Sequence, residues 1–249
     1  MRFVPLIVAR PEIQMAMDEA ILKARIEGKV EDTVRLYIFK PSSITIGRFQ
    51  SVEYDVNLEK CKELGIPVVR RITGGGSVFH DQYGEITYSV IIGEDFHESL
   101  RNVDESYRFL ASPLVEAIKE LGLDGRFSGL NDIVANGKKI SGSAQTRKKG
   151  VILQHGTLMY ATRLDILASV LKVSQKKLQD KGLTSIWERV TTLEREGVKL
   201  SREEVYALLK MKFFEKFPLK EDKLTDYELE LVEMLIEEKY GNESWNFQR

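Results

Sequence analysis

Arg70-Arg71-Ile72-Thr73-Gly74-Gly75-Gly76-Ser77-Val78-Phe79-His80-Asp81 sets two arginines at the end of a β-rich run, directly before three consecutive glycines. Residues without a Cβ let a backbone lie against a ligand, and guanidinium groups supply planar donors for phosphate or carboxylate. The pattern points to a small-molecule site, with a flexible loop after a solvated strand end as the plain alternative. Two known phosphate cradles are excluded. No Lys-Ser/Thr follows the glycines as in a P-loop, and the Gly-x-Gly-x-x-Gly spacing of dinucleotide folds is absent.

Outward from the loop, Ile66–Arg71 reads as the strand that delivers the chain into it, and Glu85–Ile92 as the extended run that leaves it. Asn57 caps a short helix through Leu64, which Gly65 stops. Upstream, Pro11 opens a helix over residues 11–27 with Ile13, Met17, Ala20, Ile21 and Ala24 on one face and Asp18 and Glu19 on its polar face. Thr33–Lys40 and Ser43–Gly47 read as neighbouring strands separated by Pro41 and Ser42. Downstream, a helix over Asp104–Leu121 ends at Gly122 and carries Pro113, which predicts a kink. Asn136-Gly137 is a strong hairpin signal, and strand alternation beyond it puts Lys139 and Ser141 on one face and Lys138 and Ile140 on the other. Val151–Tyr160 is a further strand. Helices then follow at Leu164–Val173, Gln175–Lys181, Ser201–Phe217 and Thr225–Tyr240, the last two opened by Ser201/Glu204 and Thr225/Glu228 capping boxes. The expected class is α+β, with mixed or antiparallel sheets and packed helices. It is read as a single domain over 1–249, its helical segment from about 201 packed on the rest.

The composition narrows the function classes. A net charge of −1 and a pI of 6.4 give no dedicated nucleic-acid or membrane surface. Cys61 is the only cysteine, which rules out an intramolecular disulfide framework and a cysteine-based structural zinc site. No long apolar span or leader-like stretch occurs, and the expected location is cytoplasmic.

A glycine loop, an arginine pair and a hairpin lysine suit an enzyme that joins a carboxylate to the α-phosphate of ATP, because two anions must meet at positive charge placed beforehand. On two separated motifs, Arg70 to Asp81 and Asn131 to Ala144, the chain resembles the lipoate-protein ligase A family, within the biotin/lipoate protein ligase fold. Ile46 to Ser51, Gln154 to Leu158 and Ser185 through Leu193 support the match, which runs from about Met15 to Trp245. The resemblance makes Lys139 the catalytic residue, touching the lipoyl carboxyl group or acyl phosphate. It assigns Arg71, Gly74, Gly75, Gly76, Ser77, Val78 and Phe79, together with Lys139, to ATP and lipoyl-adenylate binding. Arg70, His80, Asp132, His155, Gly156 and Thr157 are expected to line the pocket, and Asp132 is a weak candidate for assisting Mg²⁺. The implied reaction forms lipoyl-AMP and pyrophosphate from lipoate and ATP. A lysine of a lipoyl domain of a 2-oxoacid dehydrogenase complex, or of the glycine-cleavage H protein, then displaces AMP.

Single-chain ligases of that family continue into an accessory domain, whereas this sequence stops soon after Trp245. The resemblance therefore implies a separate small accessory subunit. The main alternative is octanoyl or lipoyl transfer from acyl carrier protein without ATP. Relatives with that activity use a cysteine just before the hairpin strand, where this chain has Ser128 within Arg126 to Asp132. A catalytically silent lipoyl-binding module and biotin as the acyl group are the remaining readings.

Overall fold

The computed structural model describes residues 1–172 and 186–248. In chain order its strands are β1 (Arg2–Ala9), β2 (Thr33–Phe39), β3 (Ser43–Ile46), β4 (Val68–Arg70), β5 (Val78–His80) and β6 (Glu85–Gly93). They continue with β7 (Gly125–Ser128), β8 (Asp132–Ala135), β9 (Lys138–Lys148), β10 (Val151–Met159) and β11 (Lys220–Glu221). One mixed sheet takes the order β11-β1-β2-β6-β10-β9-β8-β7, and β4-β3-β5 form a second. β1 runs parallel to both its neighbours, while every pairing from β2 across to β7 is antiparallel. This is the expected α+β architecture.

Helices cover both faces of the large sheet, so β2, β6 and β10 are buried at every position. On β2, Val34, Leu36 and Ile38 enter a core shared with helices Val103–Glu120 and Arg202–Lys216. Tyr37 and Phe39 turn the other way, toward helices Pro11–Ile26 and Asp226–Leu235. This second face carries the polar groups of the site.

Local signals placed most helix ends. Asn57 accepts from the Lys60 amide, and Ser201 and Thr225 close reciprocal boxes with Glu204 and Glu228. The helix over Val103–Glu120 runs unbroken through Pro113. The last predicted helix passes at Ile236 into a π-helical turn ending at Tyr240. Gln175–Lys181 and Ser185 lie outside the described residues.

Three expectations are corrected. β2 and β3 are not neighbours, because β1 and β6 already occupy both edges of β2, and β3 pairs with β4 and β5 instead. Asp18 and Glu19 do not face solvent. Asp18 faces the large sheet, where Arg35, Tyr37, Ser89 and His155 meet it, and the C-terminal segment covers Glu19, to which Lys239 Nζ and Tyr240 OH each donate at 2.6 Å. The simple alternation after Asn136-Gly137 breaks at a β-bulge. Ile133 pairs with Ser141 and Val134 with Lys139, which leaves Ile140 as the extra residue.

Candidate active site

β4 ends at Arg70, and the next residue, Arg71, lies beneath the glycine loop with its guanidinium buried. Its Nη2 donates to the carbonyls of Gly74 at 2.6 Å and Gly76 at 2.8 Å. Its Nη1 reaches the carbonyl and hydroxyl of Thr45 at 3.2 Å, and its Nε the Thr73 hydroxyl at 3.0 Å. Arg71 therefore holds the loop in shape. Burial pulls its pKa down to about 10, and with protein acceptors on all three nitrogens it remains a fixed positive charge under the cleft. Gly75 has a φ of +89°, a conformation that admits glycine readily.

Two parallel chains of hydrogen bonds converge on Arg71. In one, Thr73 Oγ1 lies 2.7 Å from His155 Nε2, and His155 Nδ1 lies 2.8 Å from Asp18. In the other, Thr45 Oγ1 lies 2.9 Å from His80 Nε2, and His80 Nδ1 lies 2.6 Å from Glu85. The carboxylates accept, so each Nδ1 carries the proton and each Nε2 accepts from its threonine, a tautomer assigned from the network. Burial lowers the pKa of His155 despite the pull of Asp18, which keeps the ring neutral. Burial alone would raise the pKa of Asp18, yet Arg35 above all, with His155 and Ser89, brings it down to about 2. Both histidines line the cleft, but neither offers it a free ring nitrogen.

Lys139 enters from the opposite wall. The Thr191 amide donates to the Lys139 carbonyl at 2.8 Å, so the Val190 to Leu193 stretch fixes the hairpin strand from outside. The Lys139 ammonium pairs with Asp132 at 2.6 Å and lies over Gly142, where a Cβ would come within 2.8 Å of Nζ. A Cβ on Gly47 would stand 2.1 Å from the Gly75 carbonyl, so the Ile46 to Ser51 loop and the glycine loop touch through backbone. Gln50 braces both, its Oε1 accepting from the Gly47 amide at 2.8 Å and from the Ser77 hydroxyl at 3.2 Å.

The cleft has two lobes. The first, about 550 Å³, is bounded by Arg71, Gly75, Gly76, His80, His155 and Ala144. The second, about 680 Å³, lies beyond Ser77, Val78 and Lys139 and is walled by Phe79, Met159, Leu167 and Val190. Gly156 and Thr157 lie between β9 and β6, and the glycine is needed because a Cβ there would meet Ser143 Oγ at 2.7 Å. Gly74 supports the loop without bordering either lobe. Asp132 reaches the cleft through Lys139. Arg70, expected on the pocket wall, lies outside it. Its guanidinium donates to carbonyls of Gly47, Arg48 and Gln50 on one side and of Trp245, Asn246 and Gln248 on the other, tying the C-terminal segment to the loop. Asp81, the last motif residue, pairs with Arg163 at 2.8 Å.

Sequence reading missed Asp18, Thr45 and Glu85. A carboxylate between Met17 and Ala20, or one opening the apolar run Glu85-Ile86-Thr87-Tyr88, was the available signal.

The model of the "Lipoyl protein ligase A/B catalytic domain" family matches residues 10–214. Among curated relatives, an octanoyltransferase LipM of Brevibacillus brevis is 34% identical over 96% of this chain and 95% of its own length. The lipoate-protein ligase LplJ of Bacillus subtilis is 35% identical over 96% of this chain and 71% of its own. Among solved structures, the bi-partite lipoate protein ligase of Thermoplasma acidophilum, described with its E2 lipoyl domain, superposes with a TM-score of 0.84 at 33% identity, covering 100% of this chain and 98% of that one. A lipoate-protein ligase A bound with ATP gives 0.84 at 31% identity, covering 99% of each chain. The chain belongs to the lipoyl protein ligase A/B catalytic-domain family.

Proposed function

We propose that this chain is the catalytic subunit of an ATP-dependent lipoate-protein ligase. The observation that carries the reading is a cleft built around Lys139 and a charged glycine loop, in a chain whose one thiol lies elsewhere. Cys61 is buried on the helix Leu58–Glu63, borders neither lobe, and burial pushes its pKa up to about 11. A thiolate nucleophile needs the opposite environment.

In this reading the lipoate carboxylate attacks the α-phosphorus of ATP, a bond to oxygen forms, and pyrophosphate leaves. Lys139 leaves Asp132 to neutralise charge developing between acyl carboxylate and phosphate, while Arg71 keeps the loop backbone in register beneath them. The lysine amine of a lipoyl domain then attacks the acyl carbon, AMP leaves, and an amide results. Among the described residues no group of three or more acidic, histidine or cysteine side chains is placed to hold a metal ion. In the same reading Mg²⁺ enters with ATP as part of the substrate, with Asp132 the carboxylate placed beside Lys139. Likeness to the bi-partite ligase described with its E2 lipoyl domain supports a separate small subunit and lipoyl-domain acceptors. Glycine-cleavage H protein is a further acceptor proposed in the same reading. No helix among the described residues is long and apolar enough to cross a membrane, and a cytoplasmic location belongs to the same reading.

The second reading, octanoyl transfer without ATP, is favoured by the curated relatives named octanoyltransferase. Pyrophosphate release with ATP, Mg²⁺ and lipoate, alone and with an E2 lipoyl domain, separates the two. Lipoate-dependent release that falls about 10²–10³-fold in Lys139→Ala is expected of the ligase. Acyl transfer from an acyl carrier protein with no pyrophosphate released would overturn it.

A further inference from the structure

A separate hollow of about 690 Å³ shares no lining residue with either lobe of the cleft. One wall is a face of the helix Pro11–Ile26, on which Glu19, Leu22, Lys23 and Ile26 recur at helical spacing. Lys148 on β9, Arg48 and Lys239 complete its charged lining, so four cations meet the single carboxylate of Glu19. Lys239 already holds that carboxylate at 2.6 Å. Among the described residues Lys23, Arg48 and Lys148 have no carboxylate partner, and the Arg48 guanidinium lies instead over the Trp245 ring, 4.5 Å from its centre. Lys23, Arg48 and Lys239 are half-buried. Burial lowers the pKa of Lys239 against the pull of Glu19, and Arg48 and Lys23 lower it further. Like charges gathered in a partly desolvated hollow repel one another, and the field they focus draws in an anion.

We propose that this hollow is an anion site distinct from the cleft, and that it takes a small polyanion of the pyrophosphate class. Three unpaired cations match an anion with several charges on two linked groups, whereas a lone carboxylate neutralises one of them. The charges are set within walls that include Leu22, Ile26 and Ile72, which suits a small ligand better than the flat face of a protein. The site also bears on the glycine loop. The Arg48 amide donates to the Thr73 carbonyl at 2.8 Å, and the Arg48 carbonyl accepts from Arg70 Nη1 at 3.1 Å. An anion held by Arg48 therefore braces that loop through its backbone. The proposal uses no residue lining the cleft and is independent of the acyl donor.

The test is calorimetric binding of pyrophosphate, inorganic phosphate and sulfate to the full chain, without nucleotide, acyl substrate or divalent metal. Wild type, Lys139→Ala and the double variant Lys23→Gln/Lys148→Gln are compared. Wild type is expected to bind pyrophosphate at least about tenfold more tightly than phosphate or sulfate. Lys139→Ala should keep that affinity within about twofold, and the double variant should lose at least about tenfold of it. Loss in Lys139→Ala with retention in the double variant overturns the proposal and gives the anion to the cleft. Equal, weak binding of all three anions also overturns it and leaves diffuse surface charge. No pyrophosphate binding, with the double variant instead weakening capture of an E2 lipoyl domain, overturns it as well and makes the hollow a protein-docking patch. The side chains of Lys23 and Lys148 make no ion pair among the described residues, so the double variant should melt with wild type. Should it fail to fold, the anion series on wild type and Lys139→Ala decides alone. The ligase reading stands or falls separately, on pyrophosphate release.

Discussion

Asp18→Asn should loosen both the fold and the glycine loop, although residue 18 touches neither the loop nor the cleft lysine. Asp18 is 2% exposed and accepts from Arg35 Nε at 2.9 Å, Ser89 Oγ at 2.8 Å, Tyr37 OH at 3.1 Å and His155 Nδ1 at 2.8 Å. The variant leaves the buried Arg35 without a counter-charge, a change that costs about 3–5 kcal/mol. An amide –NH₂ facing His155 also forces the other tautomer, so Nε2 donates to Thr73 and breaks the direction of the chain that ends on Arg71. The pH dependence has a definite sign. Asp18 titrates at about 2 in the folded protein against 3.8 ordinarily, so its stabilisation is complete above about pH 4 and is lost as pH falls toward 2. That difference corresponds to roughly 2–3 kcal/mol. Urea unfolding at pH 7 and at several values down to pH 2 should show the wild type losing this increment and Asp18→Asn lacking it. The ¹⁵N shifts of His155 should report the change of tautomer. A variant within 1 kcal/mol of wild type at pH 7, or with an unaltered acid limb, would refute the reasoning.

Gly142→Ala puts a methyl group 2.8 Å from Lys139 Nζ, the movable end of a side chain. Stability should change by less than about 1 kcal/mol while lipoate activation falls at least tenfold, measured as pyrophosphate release beside a thermal melt. Arg70→Ala removes the ties between the loop and residues 245–248, so limited proteolysis should release the C-terminal segment while Lys139 keeps its place. Cys61→Ala should leave acyl transfer to a lipoyl domain within about twofold of wild type. A loss beyond tenfold would point to thiol chemistry.

Much of the site was legible because its signals are short-range. Three adjacent glycines, Asn136-Gly137 and the Ser201 and Thr225 boxes act within a few residues, and backbone conformation follows locally. Lys139 could be placed on its hairpin, but the bulge at Ile140 that sets its direction arises from pairing with β8. The roles of the two arginines were not legible, since adjacent identical side chains differ only in where the strand aims them. Arg70 points at residues about 175 positions away and Arg71 at its own loop.

The sequence alone determined the α+β class, the family, the glycine loop and the lysine that faces it, because periodicity, turn chemistry and motif spacing are properties of neighbouring residues. Tertiary structure alone decided that Asp18 and Glu85 steer two histidines toward Arg71, and that one oxygen of Glu85 is buried without a hydrogen-bond partner among the described residues. The physical reason is distance along the chain. Asp18 meets His155 across 137 positions, and only the stacking of a helix against β10 turns a helical carboxylate into a buried partner.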